Sequence, residues 1–314
     1  MDSGQWIVDS GQWIVDDRIT IIGAGAWGRA LGNLTQINGY VPTVWSRSCG
    51  KELAEVVHDR MAIISVVSMS GVREVIDRLP GSIEPDQIIV TATKGLDAST
   101  NSTPAQLWRA AFPDNPIVVL SGPNLSLEIQ QGLPAATVVA SDRSEAATQI
   151  QTIFSSPKFR VYTNDDPIGV EIAGTVKNVI AIAAGTCDGL KLGNNAKSAL
   201  LTRGLAEIIR IGQYWGAKTE TFYGLSGLGD LLTTCNSPLS RNYQVGYGLA
   251  QGKTLDQILA DLRGTAEGIN TTKVLIQIAT QNDIDMPITI LVDRLLQGQI
   301  TAQSAMMALM QRDR

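Results

Sequence analysis

Histidine and cysteine are scarce in this chain of 314 residues. The one histidine, His58, stands among polar neighbours, so we expect it at the surface, and this argues against histidine-based catalysis. The three cysteines, Cys49, Cys187 and Cys235, show no CxxC spacing and therefore predict neither a disulfide framework nor a zinc site. Any proton transfer must then be carried out by lysine, aspartate, glutamate, tyrosine or cysteine.

The chain also lacks an excess of basic residues and a long apolar run. Its 25 Lys and Arg are outnumbered by 30 Asp and Glu, and the pI is near 5.0, so no basic surface predicts binding to nucleic acid or to an anionic membrane. There is no cationic leader followed by an apolar segment, and no apolar segment long enough to span a bilayer. We therefore expect a soluble cytoplasmic protein whose ligand is a small molecule.

The composition and length predict two folded domains. With 44% hydrophobic and 18% charged residues the chain is typical of globular proteins, and 314 residues are enough for two cores. A heptapeptide, DSGQWIV, occurs twice in succession near the beginning of the chain. We interpret residues 1–17, which contain this duplication, as a dispensable tail.

Two different patterns follow the tail. Residues 18–166 alternate short apolar runs with amphipathic segments, which is typical of a parallel, doubly wound sheet. The predicted strands are 18–22, 41–45, 62–67, 87–92, 117–120, 135–140 and 159–163. In residues 167–314 the apolar residues instead recur at the spacing of α-helices. The predicted helices are 171–185, 196–213, 241–251, 255–262, 268–281 and 288–297. The sequence thus predicts an α/β Rossmann-type domain followed by an all-α C-terminal domain, with the boundary near Asp166 and Pro167.

A glycine-rich turn follows the first predicted strand. Gly23, Gly25 and Gly28 form a GxGxxG between the strand RITII and an amphipathic helix. Such glycines permit a tight turn and the close approach of a pyrophosphate, while the helix N-terminus attracts the negative charge. The turn therefore predicts a dinucleotide site, which also includes Ala26 and Trp27.

The residue after the second predicted strand indicates which dinucleotide is bound. Trp45 is followed by Ser46, Arg47 and Ser48, where an enzyme specific for NAD has an acidic residue that binds the ribose hydroxyls. Arg47 is placed to pair with a 2′-phosphate, which favours NADP over NAD. An arginine that stacks on the adenine would give the same pattern.

The predicted helix 171–185 contains a lysine, Lys177, among residues that are apolar on nearly every face. Two interpretations are open. The ammonium could reach solvent at a helix end, or it could serve a buried functional site.

A second polar segment, GLSGLGDLLTTCNSPLSRN, lies later in the chain. Asp230 and Thr234 are four residues apart, so in a helix they share one face. Ser240 is a predicted N-cap, and Arg241 and Asn242 at the start of that helix would form a pocket for a phosphate monoester. Together with a buried lysine, these features predict the reduction of a carbonyl compound that carries a phosphate.

Across residues 18–295 the chain resembles the bacterial-type NAD(P)-dependent glycerol-3-phosphate dehydrogenases. The motifs that carry the resemblance are, in order, GAGAWG, TKGL, LSGPN, GVEIAGTVKNVIAIAAG, GNNAKSALLTRGLAE, ETFYGLSGLGDLLTTC, SRN and AEG. The resemblance implies that Lys177 is the general acid and base for the carbonyl oxygen of dihydroxyacetone phosphate, and that Asp230 orients or balances it. It also implies that Asn178 and Thr234 support Lys177 by hydrogen bonds. Burial is expected to lower the pKa of Lys177 toward neutrality.

The same resemblance implies the rest of the site and a reversible reaction that yields sn-glycerol 3-phosphate for phospholipid synthesis. The implied substrate-binding residues are Lys94, Gly122, Asn124, Ser240, Arg241 and Asn242. The implied cofactor-binding residues are Gly23, Gly25, Ala26, Trp27, Gly28, Arg47, Lys94, Ser126, Arg241, Thr265 and Glu267. No metal is expected, and the family resemblance suggests a homodimer.

Two departures from the family pattern affect parts of this assignment. Asn124 stands where the family often has serine, and the link from Ser48 to Met61 is shorter than in many members. The first leaves that substrate contact open, and the second leaves open how the adenine side is covered.

Two other functions stay open on the sequence. A related dehydrogenase of 3-hydroxy acids or sugar phosphates would share both domains and would not require the SRN pocket. A non-catalytic NADP sensor would bind NADPH without turnover. The combination of Lys177, Asp230 and Arg241 argues against the sensor.

Overall fold

The computed structural model describes residues 18–79, 81–262 and 264–311. The repeated heptapeptide, which we interpret as a dispensable tail, lies outside these residues. Within them, a sheet with helices on both faces is followed by a helical half, so the predicted fold class is confirmed.

In the described ranges, seven strands form one sheet. They are β1 (Ile19–Ile22), β2 (Thr43–Trp45), β3 (Ala62–Ser65), β4 (Ile88–Thr91), β5 (Ile117–Ser121), β6 (Ala135–Ala140) and β7 (Phe159–Asn164). Their order across the sheet is β2-β1-β3-β4-β5-β6-β7. Each corresponds to a predicted strand, with ends that move by at most two residues. Because helices cover both faces, the central strands are apolar on both sides, and every residue of β1, β3, β4 and β5 is buried.

One strand pair departs from the expected parallel sheet. β6 runs antiparallel to β5, whereas all other neighbouring pairs are parallel. The intervening helix α5 (Ser126–Gln130) stays at the carboxyl edge of the sheet, where Gln130 donates a hydrogen bond to the carbonyl oxygen of Ala26. The chain thus enters β6 from the edge at which β5 ends, and it must run back in the opposite direction.

The other helices of the sheet half lie in two layers. They are α1 (Ala26–Ile37), α2 (Leu53–Val57), α3 (Met69–Asp77), α4 (Pro104–Ala111) and α6 (Ser144–Phe154). Leu31 of α1 and Ile150 of α6 pack in one apolar core, and Leu53, Val72 and Trp108 from α2, α3 and α4 pack in another. The start of α4 is fixed by Pro104 and by a capping box between Thr103 and Gln106.

The strand order reverses direction between β1 and β3. In open α/β sheets the crevice outside the carboxyl ends of the strands at such a point is the usual ligand site. The short link that the sequence shows after Ser48 contains only the five-residue helix α2. β2 is one of the two edge strands, and the order β2-β1-β3-β4-β5 is one of the two common orders of doubly wound sheets.

The helical half contains eight helices among the described residues. They are α7 (Pro167–Gly189), α8 (Gly193–Tyr214), α9 (Asp230–Cys235), α10 (Arg241–Ala250), α11 (Leu255–Asp261), α12 (Glu267–Gln281), α13 (Pro287–Leu296) and α14 (Ala302–Met310). A 3-10 turn (Thr219–Tyr223) and a π-helical turn (Leu225–Gly229) precede α9. The six predicted helices are confirmed, while α9 and α14 were not predicted.

α7 is the central helix of this half, and it is longer than the predicted 171–185. Asp166 caps its N-terminus by accepting a hydrogen bond from the Gly169 N–H, and Pro167 occupies the first helical position. In the described part of the chain α7 is the one helix long and apolar enough to cross a membrane. Since 89% of its most apolar window is buried inside the protein, it has the character of a core helix.

α7 and α10 pack with their backbones in direct contact. A Cβ atom on Gly185 would overlap the carbonyl oxygen of Tyr243, and a Cβ atom on Gly246 would overlap that of Ile182. Only glycine permits this approach. The contact fixes the beginning of α10, at Arg241, relative to the middle of α7.

Candidate active site

The ammonium of Lys177 is buried and paired. Its Nζ atom lies 2.8 Å from Oδ1 of Asp230 and also donates a hydrogen bond to the Thr234 hydroxyl. The side chains of Lys177 and Asp230 are 7% and 2% exposed. This burial decides between the two interpretations of the lysine, because an ammonium that reached solvent at a helix end would not be buried in this way.

The partners of Lys177 come from one short helix. Asp230 opens α9 and Thr234 follows one turn later, and the Thr234 hydroxyl also donates to Oδ1 of Asp230 at 3.2 Å. The sequence placed these two residues on one face only if the segment was helical, and α9 is that helix. A π-helical turn leads directly into α9, and such turns often occur at functional sites.

A second lysine reaches the same carboxylate from the sheet half. Lys94 lies in the loop after β4, and its Nζ atom is 2.5 Å from Oδ2 of Asp230 and 3.4 Å from the carbonyl oxygen of Gly122. One carboxylate thus bridges two ammonium groups from the two halves of the molecule. The resulting excess of positive charge suits a reaction in which negative charge develops on a substrate oxygen.

Burial lowers the pKa of Lys177 to about 8, the charge of Asp230 opposes this change, and the charge of Lys94 reinforces it. A lysine with such a pKa exists in both protonation states near neutral pH. It can therefore donate a proton in one direction of a reaction and accept one in the other.

The glycine-rich turn has the shape that a dinucleotide requires. Gly23 has φ +120°, and a Cβ atom on Gly28 would overlap the carbonyl oxygen of Gly23, so neither position accepts a side chain. A Cβ atom on Gly25 would meet no atom within 4 Å, which leaves open space in front of the turn. Among the described residues no side chain caps α1, and no acidic residue occupies its first turn, so its first N–H groups remain free for an anion. The residues present thus fit a nicotinamide dinucleotide.

Family comparisons agree with this geometry. The chain matches the models described as the N-terminus and the C-terminus of NAD-dependent glycerol-3-phosphate dehydrogenase, over residues 48–147 and 166–307. The chain belongs to this dehydrogenase family.

Individual relatives extend the likeness over nearly the whole chain. Proteins named glycerol-3-phosphate dehydrogenase, NAD(P)+, from Trichormus variabilis and from a Nostoc species are each 62% identical over 296 residues, which is 94% of this chain and 96% of each relative. The crystal structure of glycerol-3-phosphate dehydrogenase from Coxiella burnetii has a TM-score of 0.90 at 33% identity and covers 95% of this chain and 99% of its own. The expected membership is therefore confirmed.

The start of α10 carries the three residues expected at the dehydrogenase phosphate site. Ser240 is the N-cap of α10 and accepts a hydrogen bond from the Tyr243 N–H, which confirms the predicted cap. Arg241 is exposed at the first helical position. Asn242 is buried, and its side-chain oxygen accepts a hydrogen bond from the Gly268 N–H, so that its amide NH₂ group is the part left for a ligand.

Asn178 differs from expectation in its contacts, and Asn124 makes a contact that the sequence left open. Asn178 is buried next to Lys177 on α7, but in the described part of the chain its side chain makes no hydrogen bond to Lys177, and Thr234 has that role. Asn124 donates to the Thr137 hydroxyl at 2.8 Å, and its buried Oδ1 atom has no partner among the described residues. The oxygen of Asn124 is thus available to a substrate hydroxyl.

The late residues of the proposed cofactor site come from α12 and the segment before it. Glu267 accepts a hydrogen bond from the Met69 N–H at the start of α3, next to the glycine-rich turn, at 3.3 Å. Burial raises the pKa of Glu267. Thr265 is exposed, and Ser126 is the first residue of α5. Glu267 thereby brings the helical half to the dinucleotide side of the crevice.

Arg47 is exposed after β2 and has an acidic neighbour that sequence reasoning missed. Its guanidinium lies 3.5 Å from the Glu74 carboxylate, which Arg78 also approaches at 3.7 Å. The guanidinium carbon of Arg78 in turn lies over the Trp45 ring, 5.3 Å from the ring centre. A ligand phosphate would have to compete with Glu74 for Arg47.

A buried carboxylate on α7 was also missed. Glu171 accepts a hydrogen bond from the Ala105 N–H at 2.8 Å and another from the Thr103 hydroxyl, at the N-terminus of α4. Burial raises its pKa to about 7. In the described ranges no group of three or more His, Cys, Asp or Glu could hold a metal ion.

Proposed function

We propose that this chain catalyses the reversible, NAD(P)H-dependent reduction of dihydroxyacetone phosphate to sn-glycerol 3-phosphate. The observation that carries the proposal is the buried cluster of Lys177, Asp230 and Thr234, which Lys94 joins from the other half. Family membership supplies the substrate class.

The proton is handled by Lys177. In the direction of reduction its ammonium gives a proton to the carbonyl oxygen of the substrate, and in the direction of oxidation its neutral amine takes the proton back. Asp230 stabilises the charged form of Lys177, and Thr234 fixes the direction of its Nζ atom. The ammonium of Lys94 stabilises negative charge that develops on the oxygen. The nicotinamide cofactor, when bound, supplies or accepts the hydride.

The phosphate of the substrate is bound at the start of α10. The guanidinium of Arg241, the amide of Asn242 and the N–H groups of the first helical turn provide the donors for this anion. Gly122 and Asn124 line the side of the substrate that faces the sheet. The backbone contact between α7 and α10 supports this assignment, because it holds the phosphate site at a fixed distance from Lys177.

The dinucleotide binds at the glycine-rich turn, with NADP preferred over NAD. Gly23, Gly25 and Gly28 with Ala26 and Trp27 hold the pyrophosphate end. Ser126, Thr265 and Glu267 complete the nicotinamide side, and Arg47 pairs with the 2′-phosphate. The preference is tested by Arg47→Gln, which should raise KM for NADPH about tenfold and leave KM for NADH unchanged. An equal change for both cofactors would rule out the 2′-phosphate role.

Three further features belong to the proposal. We place the domain boundary at Asp166 and Pro167, which the C-terminal family match from residue 166 supports. We also propose a cytoplasmic homodimer that supplies glycerol 3-phosphate for phospholipid synthesis. Light scattering of the purified protein tests the dimer.

The reaction itself is tested by the fall in NADPH absorbance with dihydroxyacetone phosphate, run beside NADH and beside a panel of 3-hydroxy acids and their keto forms. Turnover with dihydroxyacetone phosphate is the expected result. Turnover with a 3-hydroxy acid alone would assign a related dehydrogenase, and tight NADPH binding without any turnover would assign a sensor.

A further inference from the structure

The loop between β4 and α4 carries Lys94 into the site. Lys94 sits only three residues beyond the end of β4, and nothing in this loop belongs to a helix or strand. The position of its ammonium beside Asp230 therefore depends on what holds the loop. Hydrogen bonds from the helical half hold the loop at two successive residues, Gly95 and Leu96.

Thr175 makes the first of these contacts. Its hydroxyl oxygen accepts a hydrogen bond from the Gly95 N–H at 3.2 Å, and the residue is fully buried on α7, two positions before Lys177. Gly95 has φ +156°, and a Cβ atom there would lie 2.9 Å from Cβ of Met69. The backbone at Gly95 therefore lies between α3 and α7 with no room for a side chain.

Asn270 makes the second contact. Its side-chain NH₂ donates to the carbonyl oxygen of Leu96 at 2.9 Å. Leu96 is fully buried in the apolar core of the helical half, although it belongs to a loop of the sheet half. Two helices, α7 and α12, thus hold adjacent residues of the loop.

The side chain of Lys94 is guided by α7 as well. A Cβ atom on Gly174 would lie 3.4 Å from Cε of Lys94, so the aliphatic stem runs closely over this glycine. The far part of the loop is held separately within the sheet half, where Arg73 binds the Asp97 carboxylate through two nitrogens at 3.0 and 2.7 Å. In the described part of the chain, the hydrogen bonds from the loop backbone to the helical half are those of Thr175 and Asn270.

We propose that Thr175 and Asn270 are positioning residues that hold Lys94 against Asp230 and so set the proton affinity of Lys177. This inference rests on the proposed function in taking Lys177 as the general acid and base. Neither residue touches the reacting atoms; both act through the loop.

The effect on Lys177 follows from the shared carboxylate. The ionisable groups that act on Lys177 include Asp230 and Cys235 on α9 and Lys94 on the loop. Cys235 is neutral at working pH because burial raises its pKa to about 12. Farther out, Glu267 of α12 lies beside Gly95, and Arg241 of α10 acts on Glu267. If Lys94 moves away, Lys177 loses a repelling charge and becomes the one ammonium of this pair that is bound to Asp230. The pKa of Lys177 therefore rises.

The test compares Thr175→Val with Thr175→Ser. Valine keeps the shape of threonine and removes the acceptor, whereas serine keeps the hydroxyl. Thr272→Val is the matched control, because Thr272 is also fully buried but its hydroxyl bonds within its own helix, to Gly268. The pH dependence of kcat for reduction is measured for all three variants.

We expect Thr175→Val to lower kcat about tenfold and to move the alkaline limb of the profile upward by about half a pH unit or more. Thr175→Ser should restore both, and Thr272→Val should match the parent. Asn270→Ala breaks the other contact and provides the same test if Thr175→Val does not fold. The inference would be overturned if the alkaline limb of the kcat profile did not move in Thr175→Val or, where that variant does not fold, in Asn270→Ala. It would also be overturned if Thr175→Ser lowered kcat as much as Thr175→Val.

Failure of the proposed function would look different. A parent protein that does not reduce dihydroxyacetone phosphate removes that function, but the pKa of Lys177 can still be followed. The Cε resonance of Lys177, assigned with Lys177→Met, is titrated by NMR in the valine and serine variants. A higher pKa in the valine variant alone supports the positioning role, and equal values in both reject it.

Discussion

Lys177 and Glu171, the buried lysine and the buried glutamate of α7, differ in their partners and therefore in what they can do. Lys177 faces α9, where Asp230 neutralises it and Lys94 completes the cluster. Glu171, six residues earlier, faces α4 and is stabilised by the Ala105 N–H and the Thr103 hydroxyl, with Arg109 acting only weakly. Burial moves both pKa values toward neutrality. A shifted pKa alone therefore does not identify a catalytic group; the charges around it do.

Removing the lysine should have the largest effect on activity. Lys177→Ala is expected to lower kcat about a hundredfold to ten-thousandfold, which is the usual contribution of a general acid. NADPH binding should be retained, and fluorescence titration checks this. A fall in kcat of less than about tenfold would show that another group transfers the proton. Lys177 would then be no more catalytic than Glu171.

Removing the shared carboxylate should come second. Asp230→Asn leaves two ammonium groups without their counter-ion in a buried place, so we expect a loss of about 3 kcal/mol in the free energy of unfolding and a reduction rate at neutral pH lowered at least tenfold. Urea unfolding and initial rates measure these changes. Stability equal to that of the parent would mean that the carboxylate is not needed to hold the cluster together.

The pH dependence should follow the lysine and not the glutamate. Reduction requires the ammonium of Lys177, whose pKa is about 8, so kcat for reduction should be flat below this value and fall about tenfold per pH unit well above it. Oxidation requires the neutral amine, so kcat for oxidation should rise with pH up to this value and be flat above it. A limb near pH 7 that Glu171→Gln abolishes would instead assign the titration to the glutamate.

Neutralising the glutamate should have the smallest effect on activity and should act on stability only. The folded-state pKa of Glu171 is about 7, above its ordinary value of 4.5, so its favourable protonated form is fully present below pH 4.5 and is lost as the pH rises through 7. Glu171→Gln should therefore raise the free energy of unfolding by about 3 kcal/mol at pH 8 and by nearly nothing at pH 4.5. Its kcat should stay within about twofold of the parent. A gain of equal size at both pH values would contradict the titration.

The sequence predicted the residues whose chemistry is local or periodic. The pairing of Asp230 with Thr234 follows from helical spacing, and the cap at Ser240 follows from the proline that precedes it. These features need only the residues of one segment, so they can be read without a structure.

The features that escaped prediction depend on segments far apart in the chain. Glu171 received no role from the sequence, because its partners at the start of α4 lie more than sixty residues away. The pairing of Glu74 with Arg47, and the contacts of Thr175 and Asn270 with the Lys94 loop, likewise require the packed fold. The reversal of β6 depends on where α5 packs. None of these leaves a periodic signal in the sequence.

The glycine contact between α7 and α10 limits how this protein could be redesigned. Because Gly185 and Gly246 leave no gap between the two backbones, a larger substrate cannot be accommodated by sliding α10 away from α7 without losing that packing. Any side chain at either glycine would instead separate the two helices and misplace the anion site. New substrate preferences must therefore be sought by exchanging side chains around the pocket. A mutant library that keeps both glycines should contain a larger fraction of active variants than one that varies them.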